Sequence, residues 1–333
     1  MQHRRLGSTD RYVSEVGLGT WNIGGGAWGD VPEETARDVV RAALDSGIDF
    51  LDTADVYGDG TSESYIGDVL EERNASDDDD GVFVATKAGR RLDPHEPDRY
   101  VYEELRPHVE RSRENLGVET IDLLQLHCPP TEAYYQPETF AMLERFQEEG
   151  LIEHAGVSVE KVEEAQKAIE YDVVDSVQII FNPFRQRPRE RFFEAANRYD
   201  VGIIVRVPYA SGLLTGALDR DEEFGENDHR NFNRDGEAFD VGETFAGVPY
   251  EVGHDALDAM EPHLPEDRST AEATLRWILD HRQVTTVIPG TTTPTHVEDN
   301  AAVSEQSRLS NQVHGAIRDV YEEFVYEHVH HRW

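Results

Sequence analysis

The chain has 333 residues, with Lys+Arg 31 against Asp+Glu 68 and a formal net charge of −37 at pH 7. That balance excludes nucleic acid and anionic membrane surfaces as partners, because both need patches of Lys and Arg. With 38% hydrophobic residues, 4 Trp, 13 Tyr and 13 Phe, there is still enough apolar material for a sizeable core.

The three lysines are Lys87, Lys161 and Lys167. Dense carboxylates with so little lysine resemble the proteins of extreme halophiles. In molar salt the Debye length is about 3 Å, so the self-repulsion of such a surface is largely screened. The expectation is a solvated acidic coat that loses stability on desalting. Cys128 is the single cysteine, which excludes an internal disulfide and fits a reducing compartment. The opening MQHRRLGSTD lacks the apolar stretch of a signal peptide, and no apolar run approaches bilayer length. A soluble cytoplasmic protein is expected, of undetermined oligomeric state.

In chain order, short Val/Ile-rich runs recur: SEVGLGT (14–20), IDFLD (48–52), GVFVATK (81–87), IDLLQLH (121–127), HAGVSVE (154–160), SVQIIFN (176–182), GIIVRVP (202–208) and VTTVIPG (284–290). Each is too short for a helix and reads as a strand buried on both faces. Helical patterns lie between them at 33–44, 102–116, 139–149, 162–169, 190–199 and 270–279. Eight strands alternating with helices predict parallel βα units closed into an eight-stranded (β/α)8 TIM barrel, as one domain over 1–333. An open doubly wound sheet is the second choice. From Arg206 to Gly290 is 84 residues, against 24 to 40 between the preceding strand ends, so 213–267 reads as an enlarged loop after the seventh strand. Loops after barrel strands border the ligand-binding mouth, so this one reads as a lid. The acidic run 77–80 reads as a solvated loop.

The strands end in chemically useful residues. The second supplies Asp52 and, five residues on in DTADVYG, Tyr57; the third ends in Lys87 and the fourth in His127. Consecutive strand ends in a parallel barrel are neighbours, so these four should converge. A free phenol has a pKa near 10, too high for efficient proton transfer at neutral pH. A cation beside it favours the phenolate, a carboxylate holds the cation, and an imidazole can hydrogen-bond a substrate oxygen. Together they describe a tuned proton donor facing a carbonyl. Taken singly, Asp52 also reads as a cap, Tyr57 as packing, Lys87 as a snorkelling surface residue and His127 as structural; joint placement on adjacent strands favours the chemical reading.

With these residues in view, the chain resembles an aldo-keto reductase. DTADVYG, VATK, LLQLH, GVSVE, SVQIIFN, RVPYASGLLTG and VIPGTTTPTHVEDN follow the family's order over about 5–300. It is most similar to the bacterial and archaeal branch carrying RVP…ASGLLTG. The resemblance implies hydride transfer between a nicotinamide cofactor and an aldehyde, ketone or sugar. Tyr57 would be the general acid, Lys87 would depress its pKa, Asp52 would pair with Lys87, and His127 would orient the carbonyl. By the same resemblance Ser158 and Gln178 hold the cofactor's carboxamide, with Asn182 close behind. Val159 stands where the family often has Asn. Arg206 would stack on the nicotinamide, Thr20 and Trp21 would border it, and Leu213 and Thr215 would cover the pyrophosphate. Gly290, Thr291, Thr292, His296, Asp299 and Asn300 would line the adenosine end. The family's usual cofactor implies NADPH; the missing Lys or Arg in this segment leaves NADH possible.

Three features read otherwise. GGGAWG (24–29) satisfies G-x-G-x-x-G with Asp49 about twenty residues on, but no helical pattern begins before Pro32, so the glycines read as a loop bordering the pocket. His328, His330 and His331 have no Cys/His partners at zinc spacing and read as a solvated helix end, with no metal expected. Trp21, Trp28, Phe224, Phe232, Phe239, Phe245, Tyr250 and the terminal Trp333 are candidates to shape the pocket. A cofactor-sensing regulatory protein of the same fold is the alternative function.

Overall fold

A computed structural model describes residues 1–26, 28–29, 31–74 and 81–333. The expected run at 77–80 lies outside the described residues. The chain opens with an antiparallel hairpin, β1 (His3–Arg5) and β2 (Tyr12–Ser14). Eight parallel strands follow: β3 (Leu18–Gly19), β4 (Phe50–Asp52), β5 (Phe83–Ala88), β6 (Ile121–His127), β7 (Ile152–Ser158), β8 (Ser176–Ile180), β9 (Gly202–Arg206) and β10 (Val284–Val287). Their order in the sheet is their order in the chain. Parallel bridges from Val16 to Val287 and from Gly19 to Gly290 join the last strand to the first. The eight predicted strands therefore form the expected (β/α)8 barrel.

The described helices are α1 (Glu33–Asp45), α2 (Thr61–Asn74), α3 (Tyr102–Leu116), α4 (Pro137–Glu148), α5 (Val162–Ala168), α6 (Arg187–Arg191), α7 (Phe193–Tyr199), α8 (His229–Phe232), α9 (Tyr250–Met260), α10 (Thr270–Leu279), α11 (Pro294–Ala302), α12 (Asn311–Val320) and α13 (Tyr326–Val329). Local chemistry explains the clearest of them. In α1 the residues Ala36, Val39, Val40, Ala43 and Leu44 form a stripe at three- and four-residue spacing and are buried. α10 begins at a capping box, in which Ser269 accepts from the Glu272 N–H while the Glu272 carboxylate accepts from the Ser269 N–H. α2 escapes sequence reading because the face it buries is weakly apolar, including Ser62, Glu63 and Gly67 beside Ile66 and Val69. The single helix expected at 190–199 is two, α6 and α7, parted at the fully buried Phe192. The enlarged connection is also not all loop: it contains α8 and the eleven-residue α9, which buries Tyr250, Gly253, His254, Ala256, Leu257 and Met260. No helix among the described residues is long and apolar enough to cross a membrane.

The barrel interior is layered. At its lower end Phe50, Phe83, Ala85, Leu123, Ile204 and Ile288 pack together with Leu6 and Val13 of the hairpin, which plugs that end. Side chains two residues apart on a strand share a face. One step up the same inward faces therefore come Asp52 above Phe50, Lys87 above Ala85, Gln125 above Leu123 and Arg206 above Ile204. A polar layer thus rests on an apolar one, at the end where the strands terminate. Fully burying one of the two phenylalanines stabilises the floor by about 1.5–3 kcal/mol.

Candidate active site

Three successive strand ends bring the four predicted chemical groups together. Lys87 Nζ donates to Asp52 Oδ1 at 2.5 Å, to the Thr53 carbonyl at 2.7 Å and to the Tyr57 hydroxyl at 3.3 Å. Lys87 and Asp52 are almost wholly buried, with side chains 1% and 3% exposed. The second carboxylate oxygen of Asp52 accepts from Gln178 Nε2 at 2.7 Å and from Gln125 Nε2 at 3.1 Å. The His127 ring stands edge-on to Tyr57, centroids 5.9 Å apart, while Trp21 lies nearly parallel to Tyr57 at 6.1 Å. Tyr57 is set by a tight turn in which Gly58 has φ 59°; a Cβ there would lie 1.9 Å from the Gly24 carbonyl oxygen. Only glycine lets the loop after β3 approach so closely. Cys128 (φ 47°) and Val207 (φ 53°) also have left-handed backbones, each directly after a site residue. Non-glycine residues rarely adopt this conformation, and such strain concentrates at functional sites.

The electrostatics sharpen and partly correct the expected tuning. Burial opposes the Lys87 ammonium, yet Asp52 and the Tyr57 oxygen hold its pKa above the ordinary value. Burial likewise raises the Tyr57 phenol, and Asp52 and Glu243 push the same way. Lys87 pulls it down, but the net is upward rather than the depression expected from the cation alone. Desolvation outweighs one neighbouring charge here. His127 is held well below its usual range by burial, then by Arg90, Lys87 and Arg206, so it is neutral. Its Nδ1 is buried without a hydrogen-bond partner among the described residues.

These groups face a cleft enclosing about 890 Å³, open solvent included, lined by Thr20, Trp21, Asp52, Tyr57, His127, Ser158, Gln178, Arg206, Thr215 and Gly290 among others. Leu213 does not line it; the side chain is fully buried against the core. Thr291, Thr292, His296, Asp299 and Asn300 lie off this lining, beyond its Gly290 edge. There Thr291 Oγ1 is 3.3 Å from His296 Nδ1, and Asn300 Oδ1 accepts from the Tyr209 hydroxyl at 2.5 Å. Gln178 spends its amide on Asp52 and Gln125, leaving its own carbonyl oxygen for a ligand. Asn182 is bonded to the Val207 carbonyl and the Phe184 N–H, so it is committed to the backbone.

Other side chains came into the site unannounced. Gln125 is one; its signal was a polar residue two before His127 in a buried strand. Arg90, Glu160 and Glu243 are the others, paired with each other and with Arg206. Of the candidate aromatics, Trp28 lines the cleft and Phe239 meets Trp21 at 5.9 Å. Phe224, Phe245 and Tyr250 instead form their own cluster. Trp333 does not reach the cleft: it is buried over Arg185 and donates to Asp240 at 2.9 Å, anchoring the enlarged connection. His330 is not at a solvated end either, since it stacks on Tyr326 at 4.1 Å and bonds the Tyr321 hydroxyl. Among its described residues, the glycine-rich stretch after β3 holds one short turn, Asn22–Gly24, and no strand-to-helix phosphate loop.

The model of the Aldo/keto reductase family matches residues 15–322. The chain belongs to the aldo/keto reductase family. It is similar to the aldo-keto reductase AKR11C1 from Bacillus halodurans in its holo form, with TM-score 0.77 and 26% identity over 98% of each chain. It is also similar to the glycerol dehydrogenase AKR11B4 from Gluconobacter oxydans, with TM-score 0.76 and 28% identity, covering 98% of this chain and 96% of that one. The NADH-specific methylglyoxal reductase of Escherichia coli is 29% identical over 89% of this chain and 91% of its own. This aldo/keto reductase is accordingly an oxidoreductase that interconverts carbonyl and alcohol with a nicotinamide cofactor.

Proposed function

We propose that the chain reduces an aldehyde or ketone, including the open carbonyl of a sugar, with Tyr57 as the proton donor. The observation that carries this reading is the buried Lys87 Nζ, 2.5 Å from Asp52 and 3.3 Å from the Tyr57 hydroxyl at the cleft. In the bound complex the reduced nicotinamide supplies hydride to the carbonyl carbon. Tyr57 gives its proton to the carbonyl oxygen, and the phenolate left behind is stabilised by the Lys87 ammonium. Asp52, fixed by Gln125 and Gln178, keeps that ammonium in place. Neutral His127 donates one N–H to the same oxygen as charge develops on it, a contribution of the oxyanion-hole kind. Trp21 and Trp28 supply apolar walls to the cleft. Loss of nicotinamide absorbance with a panel of aldehydes tests the activity. Tyr57→Phe should abolish turnover while coenzyme binding stays near normal; an equally active Phe variant would remove Tyr57 from this role.

The residues present suit a nicotinamide dinucleotide. Arg206 lines the cleft, where the flat face of its guanidinium suits a ring laid on it, and its buried Nε–H, without a partner among the described residues, would donate in its own plane to a ligand oxygen. Ser158 and Gln178 would hold the carboxamide, Thr20 and Trp21 would border the ring, and Thr215 would sit by the pyrophosphate. Gly290, Thr291, Thr292, His296, Asp299 and Asn300 would take the adenosine end. NADPH is the proposed cofactor, its 2′-phosphate met by hydroxyls, His296 and the start of α11. Because no Lys or Arg stands in 290–300, NADH is accepted as well. The composition supports work in concentrated salt, in the cytoplasm, beneath an acidic coat.

A further inference from the structure

Four charged side chains beside the cleft form a closed ring. Arg90, in the connection after β5, donates to Glu160 Oε1 at 2.8 Å and to Glu243 Oε1 at 2.5 Å. Arg206, the last residue of β9, meets Glu160 Oε2 at 3.1 Å and Glu243 Oε1 at 3.5 Å. Each carboxylate therefore bridges both guanidiniums, and the side chains of Arg206 and Glu243 are each only 8% exposed. Arg90 and Glu160 lie two residues beyond their barrel strands, and Arg206 ends its own. Glu243 alone comes from the enlarged connection, in a short turn after α8. Cys128, Glu160 and Glu243 bring ligand atoms within 4.8 Å of one another, as a metal site would. Both carboxylates, however, are already taken by guanidiniums, and Arg206 Nη2 lies 3.7 Å from the Cys128 sulfur. Guanidinium contacts thus occupy both carboxylates without an ion.

We propose that Glu243 is a positioning residue: by closing the ring it fixes the Arg206 guanidinium against the cleft and ties the enlarged connection to the barrel there. This rests on the reading of Arg206 as the cofactor's flat partner. A buried guanidinium needs its charge met, and losing one carboxylate leaves two arginines sharing Glu160. Arg206 then follows Glu160 alone. The same carboxylate reaches the reacting groups. Tyr57 is faced by Lys87, Asp52, His127 and Glu243, and Glu243 favours its protonated form. Arg90 and Arg206, both held by Glu243, are among the charges that keep His127 neutral.

The test uses full-length Glu243→Gln and Glu243→Asp. Dissociation constants for NADPH and NADH are read from nicotinamide fluorescence, alongside kcat, KM and the high-pH limb of kcat. Glu243→Gln should weaken coenzyme binding about tenfold. It should also move the high-pH limb to lower pH, as the phenol loses a neighbouring negative charge, and Glu243→Asp should recover most of both. A Gln variant that binds coenzyme as the parent does, with an unmoved limb, overturns the proposal. Should Glu243→Gln not fold, Arg90→Lys is read instead. It keeps the charge but loses the fork that spans two carboxylates, so it must weaken coenzyme binding or the proposal fails. Arg206→Ala separates the two readings. If it leaves coenzyme affinity unchanged, the reading of Arg206 itself fails. If it weakens binding while Glu243→Gln does not, only the positioning role fails.

Discussion

Replacing Lys87 by Met tests both the stability and the chemistry of the polar layer. The substitution keeps the length of the side chain and removes the ammonium from a pair whose members are 1% and 3% exposed and 2.5 Å apart. Asp52 would retain the two glutamine amides, at 2.7 and 3.1 Å, but no countercharge. Stranding a buried charge in this way costs about 3–5 kcal/mol, against about 0–1 kcal/mol for an exposed pair. Urea unfolding at fixed KCl, followed by tryptophan fluorescence, measures it. Adding Asp52→Asn removes the stranded charge, so the double variant should regain a large part of the loss. Turnover should fall by on the order of 10²–10⁴, because the phenolate left after proton transfer has no cation beside it. A single variant within about 1 kcal/mol of the parent would refute the reasoning. So would a double variant no more stable than Lys87→Met.

Asp55 offers a pH test, since both its carboxylate oxygens are buried without a hydrogen-bond partner among the described residues. Burial, then Glu63, raises its pKa from 3.8 to about 7. A carboxyl raised in the fold gives stability that is complete at low pH and lost as pH climbs through its folded value. Asp55→Asn should therefore be the more stable form above pH ~7, by up to roughly 4 kcal/mol; parallel stability–pH curves for the two proteins would contradict this. For the cofactor, kcat/KM should be higher with NADPH and measurable with NADH, and a strong NADH preference would overturn the assignment. The melting temperature should rise between low and molar KCl as self-repulsion is screened; an unchanged value would remove the case for adaptation to salt.

The order and type of the barrel elements were legible in the sequence because they are local. Runs such as IDLLQLH carry the composition of a strand buried on both faces, and α1 and α10 carry helical spacing and caps within themselves. The meeting of Asp52, Tyr57, Lys87 and His127 was legible too, since each lies at or near the end of one of three successive strands in a parallel barrel. What packing decided depends on neighbours distant in the chain. Burial, not sequence, turned the net pKa of Tyr57 upward despite Lys87. Two glutamines of different strands share one oxygen of Asp52. Trp333 reaches Asp240 instead of the cleft, and Glu243 crosses from a long connection to complete a ring with residues of three strand ends. Periodicity reports which face of an element is apolar; desolvation and charge pairing exist only once the chain has closed around them.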